Sequence, residues 1–175
     1  MTVLQVQPAY NFYRRYILEY SRDKSTIYEQ YGFSLAGSIG SKDWEVFAAI
    51  LLNDRAKRGN GSDLLNYEVK SAVRGSSFEY QYHRNHGIEK LNDEKNVDHI
   101  FISRSEAYQN LEVWFVERSK MLPTFEQWLP ELVENYESLA RQRFLRSVTY
   151  GFVTRQGIKI LEVRDGELQY FIESI

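Results

Sequence analysis

Two carboxylates and an ammonium fall close together near the middle of the chain, at Asp63, Glu68 and Lys70. In the run Tyr67-Glu68-Val69-Lys70-Ser71 an extended backbone sends alternate side chains to opposite faces. Glu68 and Lys70 then share one face, and Tyr67, Val69 and Ser71 the other. Asp63 lies upstream of Glu68, and in a continuous strand it would be about 16 Å away on the wrong face. A turn has to intervene. If Leu65-Asn66 forms a two-residue hairpin loop, Leu64 pairs with Tyr67 and Asp63 with Glu68, their Cβ atoms about 5 Å apart on one face. Like charges so placed repel, and a divalent cation between them removes the repulsion. Magnesium takes one or two carboxylates together with waters and phosphate oxygens, so Mg²⁺ is the expected ion. Lys70 is placed beside it to hold a phosphate oxygen or to assist in generating hydroxide from metal-bound water.

Other candidates are weaker. Arg55, Lys57, Arg58, Lys70, Arg74, His83, Arg84 and His86 crowd one stretch and Arg141, Arg143 and Arg146 another, while acidic residues gather at 89–98 and 126–137. A neutral protein can carry a basic cleft in this way. Ser77, Glu79, Gln81 and His83 alternate with Phe78, Tyr80 and Tyr82, which predicts a strand with one aromatic face and one polar face. Polar side chains of this kind, with Arg74, Arg84 and His86 alongside, can read base edges and hold phosphates. Both histidines are expected as phosphate contacts rather than general bases. The glycine-rich stretch Gly37-Ser-Ile-Gly-Ser-Lys42 fails as a phosphate loop, since Asp43 stands where Ser or Thr should follow the lysine. Arg141, Arg143 and Arg146 are expected to end a helix, where cations complement its dipole.

Composition narrows the chemistry. The 175 residues are 43% hydrophobic, enough for one core, and no Pro/Gly linker or repeat divides them, so a single domain over 1–175 is expected. Zero cysteines exclude disulfides, a thiolate nucleophile and thiolate metal sites, and three histidines without a His-x-x-x-His pair leave any metal to oxygen ligands. No apolar run is long enough to cross a membrane and no secretory leader is seen, so a cytoplasmic protein without membrane contact is expected. A net charge of −2 argues against coating nucleic acid by bulk charge alone.

The elements that would position these residues follow from periodicity. Segments 10–22 and 25–33 read as tyrosine-rich helices within a helical N-terminal part, 8–35. Ser41 is the expected N-cap of a helix over 42–58, with Trp44, Phe47, Ala48, Leu51 and Leu52 as its apolar stripe and Glu45 bordering that stripe. After Gly59-Asn60-Gly61 the chain is expected to stay mostly extended to 117, with strands at 67–73, 77–83, 97–103 and 111–117. A helix follows from Thr124 to about Phe144, with Phe125, Trp128, Leu132, Tyr136 and Leu139 inward and Pro130 inside it. Strands at 147–154 and 158–170, the latter broken by an Asp165-Gly166 hairpin, complete a C-terminal part over 124–173. The expected fold is α/β or α+β: a mixed central β-sheet flanked by helices.

Over about 41–117 the chain resembles the PD-(D/E)xK nuclease superfamily, which includes type II restriction endonucleases, the nicking endonuclease of methyl-directed mismatch repair and archaeal Holliday-junction resolvases. The resemblance rests on Asp63, Glu68 and Lys70, with Glu45 on the preceding helix and the strands Asp98–Ile102 and Val113–Val116 after it. It implies a restriction-endonuclease-like core, with Asp63 and Glu68 as metal ligands, the Val69 carbonyl as a further ligand, Lys70 as catalytic lysine and Glu45 as an added site carboxylate. Two features depart from the family pattern: Ser62 replaces the proline, and only four residues separate Asp63 from Glu68. The implied function is Mg²⁺-dependent hydrolysis of double-stranded DNA by a small restriction endonuclease. A homodimer would cut both strands, and a DNA methyltransferase could accompany it. The alternatives are a repair or junction-resolving nuclease of the same fold and a non-catalytic nucleic-acid-binding protein.

Overall fold

The computed structural model describes residues 1–138, 140 and 142–175. Its centre is a five-stranded mixed sheet in the order β1-β3-β4-β6-β7. The strands are β1 (Tyr67–Val73), β3 (Asp98–Arg104), β4 (Leu111–Val116), β6 (Ile158–Arg164) and β7 (Glu167–Phe171). β1 runs parallel to β3 with Glu68 opposite His99 and Lys70 opposite Phe101, and the remaining pairs are antiparallel. A second, two-stranded antiparallel sheet joins β2 (Phe78–His83) to β5 (Arg143–Val148).

Both faces of the central sheet are covered, which is why its middle strands read as apolar runs. Val69, Ile100, Ile102, Val113 and Val163 pack beneath α1 (Val6–Phe12) and α3 (Ser41–Leu52), whose Trp44, Phe47, Ala48 and Leu51 are buried. On the opposite face Phe101 and Val116 meet Phe78, Tyr80 and Tyr82 of β2, together with Phe125, Trp128 and Leu132 of α5 (Arg118–Glu137). The alternation of β2 thus buries its aromatic residues against the central sheet and leaves Glu79 and His83 exposed. The Asp165-Gly166 turn joins β6 to β7 with both residues at positive φ, 51° and 83°, the requirement of a type I′ turn.

Several boundaries differ from the sequence-based expectations. The N-terminal helix is continuous, with a π-helical stretch (Tyr13–Glu19) linking α1 to α2 (Tyr20–Gln30). The helix expected over 42–58 stops at Leu52, because Asn53 turns left-handed (φ 51°), and its N-cap is Gly40 with Ser41 the first helical residue. The stretch expected to be extended contains α4 (Gly87–Glu94), which has Leu91 as its buried apolar anchor and, at two turns, is too short for a helical period to stand out in the sequence. α5 starts at Arg118 and tolerates both Pro123 and Pro130. The strand expected at 147–154 is divided between β5 and α6 (Tyr150–Gln156), which starts where the Thr149 hydroxyl accepts the Phe152 N–H at 3.1 Å. Leu139 and Arg141 lie outside the described residues.

Candidate active site

Three of the sequence-selected residues meet at the open edge of β1. Asp63 precedes that strand in a segment whose partner is residues 55–57: Lys57 N–H donates to the Asp63 carbonyl (3.0 Å) and Leu65 N–H to that of Arg55 (2.9 Å). The two-residue hairpin is therefore only half realised. Leu64 N–H does bond to the Tyr67 carbonyl at 2.9 Å, but Asp63 makes no ladder pair with Glu68. Instead each residue bonds to the other's strand: Asp63 N–H donates to Glu68 Oε2 at 3.0 Å and Val69 N–H donates to Asp63 Oδ2 at 3.2 Å. The segment is further held to α4 by Asp93, which accepts the Ser62 N–H at 2.7 Å and pairs with Lys57.

Residue alternation also fixes one backbone atom. The N–H and C=O of a strand residue point the same way, so the Val69 carbonyl, like its N–H, leaves β1 on the open edge beside Asp63, away from the β3 ladder.

Glu68 is fully buried and pairs with Lys70 at 2.5 Å. Lys70 Nζ lies 4.6 Å from the centre of the Tyr80 ring, a cation–π placement. Burial, then the neighbouring Glu68, raises the Asp63 carboxyl to about 6 despite Lys70. Burial likewise raises Glu68, with Glu94 adding to it and Lys70 opposing. For Lys70 the largest single effect, burial, is downward, but Glu68, Glu94 and Asp63 together outweigh it and keep the ammonium protonated. Lys70 is thus held as a positive charge beside the two carboxylates.

Glu45 reaches the cluster from α3 around the strand edge. Its charge acts on Asp63, while its carboxylate pairs with Lys42. Among the described residues no three Asp, Glu, His or Cys side chains already stand as a metal's ligand set. What the edge of β1 does offer is a hard-oxygen donor set of Asp63, Glu68 and the Val69 carbonyl. Glu68 Oε1 is buried, with the Lys70 ammonium as its close partner. That set fits magnesium.

Sequence reasoning missed the polar layer behind Lys70. Glu94 of α4 is fully buried and accepts the Tyr82 hydroxyl at 2.6 Å, with Lys90 at 3.6 Å. His99 is also buried, its Nδ1 2.9 Å from Tyr80 Oη and its Nε2 3.1 Å from the Glu94 carbonyl. Nε2 therefore carries the proton, and burial pushes the imidazole down to about 3. The only available signal was Lys90-x-x-x-Glu94, hidden because α4 itself was not read.

The expected nucleic-acid contacts separate into groups. Gln81, His83 and His86 line, with Gly59–Gly61, Asn85 and Lys90, a cleft of about 460 Å³ beside the Asp63 segment. Ser77 and Glu79 are exposed but outside it. Arg84 donates to the Ser138 carbonyl (2.9 Å). Arg74 lies beyond the far end of β1, about 20 Å along the strand from Glu68, paired with Glu112 at 3.3 Å, so it is not part of the cluster. Arg143 and Arg146 do not end a helix: both are on β5, and Arg146 pairs with Glu131 of α5. Compared with known protein families and curated proteins, the chain matches no family model and no curated protein.

Proposed function

We propose that this chain is a Mg²⁺-dependent endonuclease of double-stranded DNA. The observation that carries the reading is the paired clasp at the open edge of β1, where two carboxylates of raised pKa and a charged lysine stand in mutual contact. Asp63, Glu68 and the Val69 carbonyl would hold the ion, with Glu45 joining after exchanging its Lys42 partner. The ion, when bound, would supply Lewis-acid activation of water and of the scissile phosphate.

The remaining work belongs to the chain. Lys70, fixed between Glu68 and the face of Tyr80, sets a positive charge where the phosphate gains negative charge, an interaction stronger in the transition state than in the ground state. Lys90, His83 and His86 in the adjoining cleft would hold backbone phosphates of the bound duplex, and Gln81 would face its base edges. One such site cuts one strand, so double-strand cleavage calls for two copies about a twofold axis. Sequence-specific cutting by such a pair would make the role one of restriction, with a companion methyltransferase to protect the recognised sites.

Digestion of plasmid and phage DNA with Mg²⁺ tests the reading. Discrete fragments are the expected result. Cutting confined to branched or mismatched duplexes would replace restriction by repair or junction resolution. Duplex binding without cleavage in either Mg²⁺ or Mn²⁺ would leave a non-catalytic binding protein and overturn the proposal.

A further inference from the structure

A second group of polar atoms lies away from this site, on the opposite face of the central sheet and about 17 Å along it. Arg104 ends β3 and is 9% exposed. Its guanidinium carbon stands 4.8 Å from the centre of the Tyr108 ring and 6.0 Å from that of Trp44. Both Nε and Nη1 are buried without an acceptor, as are Trp44 Nε1 and Ser38 Oγ. Tyr108 holds the group together. Its hydroxyl accepts the Ile39 N–H at 3.2 Å and donates to the Leu35 carbonyl at 3.0 Å, which fixes the loop carrying Ser38 to the ring on which Arg104 rests.

A guanidinium keeps its charge at any ordinary pH. An aromatic face offsets part of that charge, but stacking leaves the in-plane N–H groups free to bond. Trp44 Nε1 can only donate and the Ser38 hydroxyl can donate, so the unsatisfied atoms lack acceptors rather than donors. Water would take up their hydrogen bonds and leave the charge uncompensated. Glu106 is the carboxylate near enough to act on Arg104, yet it forms no ion pair with it within 4.0 Å among the described residues, and it is exposed. An anion with several acceptor oxygens satisfies both the charge and the bonds.

We propose that Arg104, Trp44 and Ser38 form a binding site for a phosphate-class oxyanion. The site is independent of the nuclease reading, since it shares no residue with the Asp63 cluster. Its ligand is either free phosphate or a backbone phosphate of nucleic acid.

The test is thermal unfolding and tryptophan fluorescence of the full chain, titrated with inorganic phosphate against chloride at equal ionic strength, and separately with a short DNA duplex without divalent metal. The expected result is a saturable, phosphate-specific rise in Tm. Trp44→Phe, which keeps the ring and removes the N–H, and Ser38→Ala should each weaken binding roughly tenfold, and Arg104→Met should abolish it. Without anion Arg104→Met should be at least as stable as the wild type, because it removes a buried unpaired charge, and phosphate should reverse that order. A response to phosphate assigns the free ion; an Arg104-dependent response to the duplex alone assigns the backbone. Three results would overturn the site: no response to either ligand, chloride acting as well as phosphate, or binding seen only after Glu106→Gln, which would make that carboxylate the native acceptor. Should Arg104→Met fail to fold, unchanged affinity in both Trp44→Phe and Ser38→Ala would overturn it equally.

Discussion

Lys70 owes its charge to its neighbours, and this separates what it does for rate from what it does for affinity. Phosphate affinity is spread over several cations and weakens in small steps as each is lost, whereas Lys70 is the cation paired with Glu68 among the described residues. Lys70→Ala is expected to lower single-turnover cleavage by about 100-fold or more while gel-shift affinity changes only a few-fold. Equal losses in both would place the lysine among the binding cations. Asp63 gives a test in the absence of metal. A carboxyl whose folded pKa is raised to about 6 contributes stability at low pH that is lost as pH rises through that value. Asp63→Asn should therefore stabilise metal-free protein at pH 8, by on the order of 1–3 kcal/mol, and have little effect at pH 4. Urea midpoints over that range check the sign. Added Mg²⁺ should reverse the order at pH 8.

The elements that carry these residues were legible to different degrees, for physical reasons. β3 and β4 announce themselves because strands covered on both faces carry apolar runs, Ile100–Ile102 and Val113–Val116, and β1 is marked by its period-2 alternation. Glu68 and Lys70 were readable because alternation alone sets their shared face. Asp63 was placed near them for a partly wrong reason: residues 55–57 compete for its backbone, so its carboxylate and not its ladder makes the contact. α4 escaped notice, and Glu94 with it, because a helix of two turns is too short for its period to stand out from the strands around it. The pairing of β2 with β5 joins distant segments that no local pattern links. The Asp63 segment in turn depends on α4. Gly61 has φ 151°, and a Cβ there would overlap the Asp93 carboxylate that holds Ser62. Gly61→Ala is expected to cost about 1–3 kcal/mol and to depress Mg²⁺ affinity. Chemical denaturation and metal titration read the two effects, and a loss of stability with unchanged Mg²⁺ affinity would show that the segment does not position Asp63.

For the molecule as a whole, two apolar cores share one sheet as a wall, and the titrating groups sit on the side of the β2–β5 layer. His99 lies within that second core and stays neutral with a pKa near 3. A histidine lowered in the fold contributes stability that is present above its unfolded value of about 6.5 and is lost as pH falls towards 3. Acidification from pH 6.5 to 4 should thus cost the wild type about 3 kcal/mol through this group, and His99→Gln should flatten that part of the profile. An unchanged slope in the variant would assign acid lability elsewhere.

The clasp itself also has a spectroscopic side. The Val69 N–H on β1 bonds to a titratable side chain, Asp63, rather than to another backbone. Its deuterium exchange should therefore follow the state of that carboxylate instead of the opening of the sheet. Neighbouring amides bonded to β3 would exchange on the timescale of global unfolding, while this single signal would respond to pH near 6 and to the arrival of a cation.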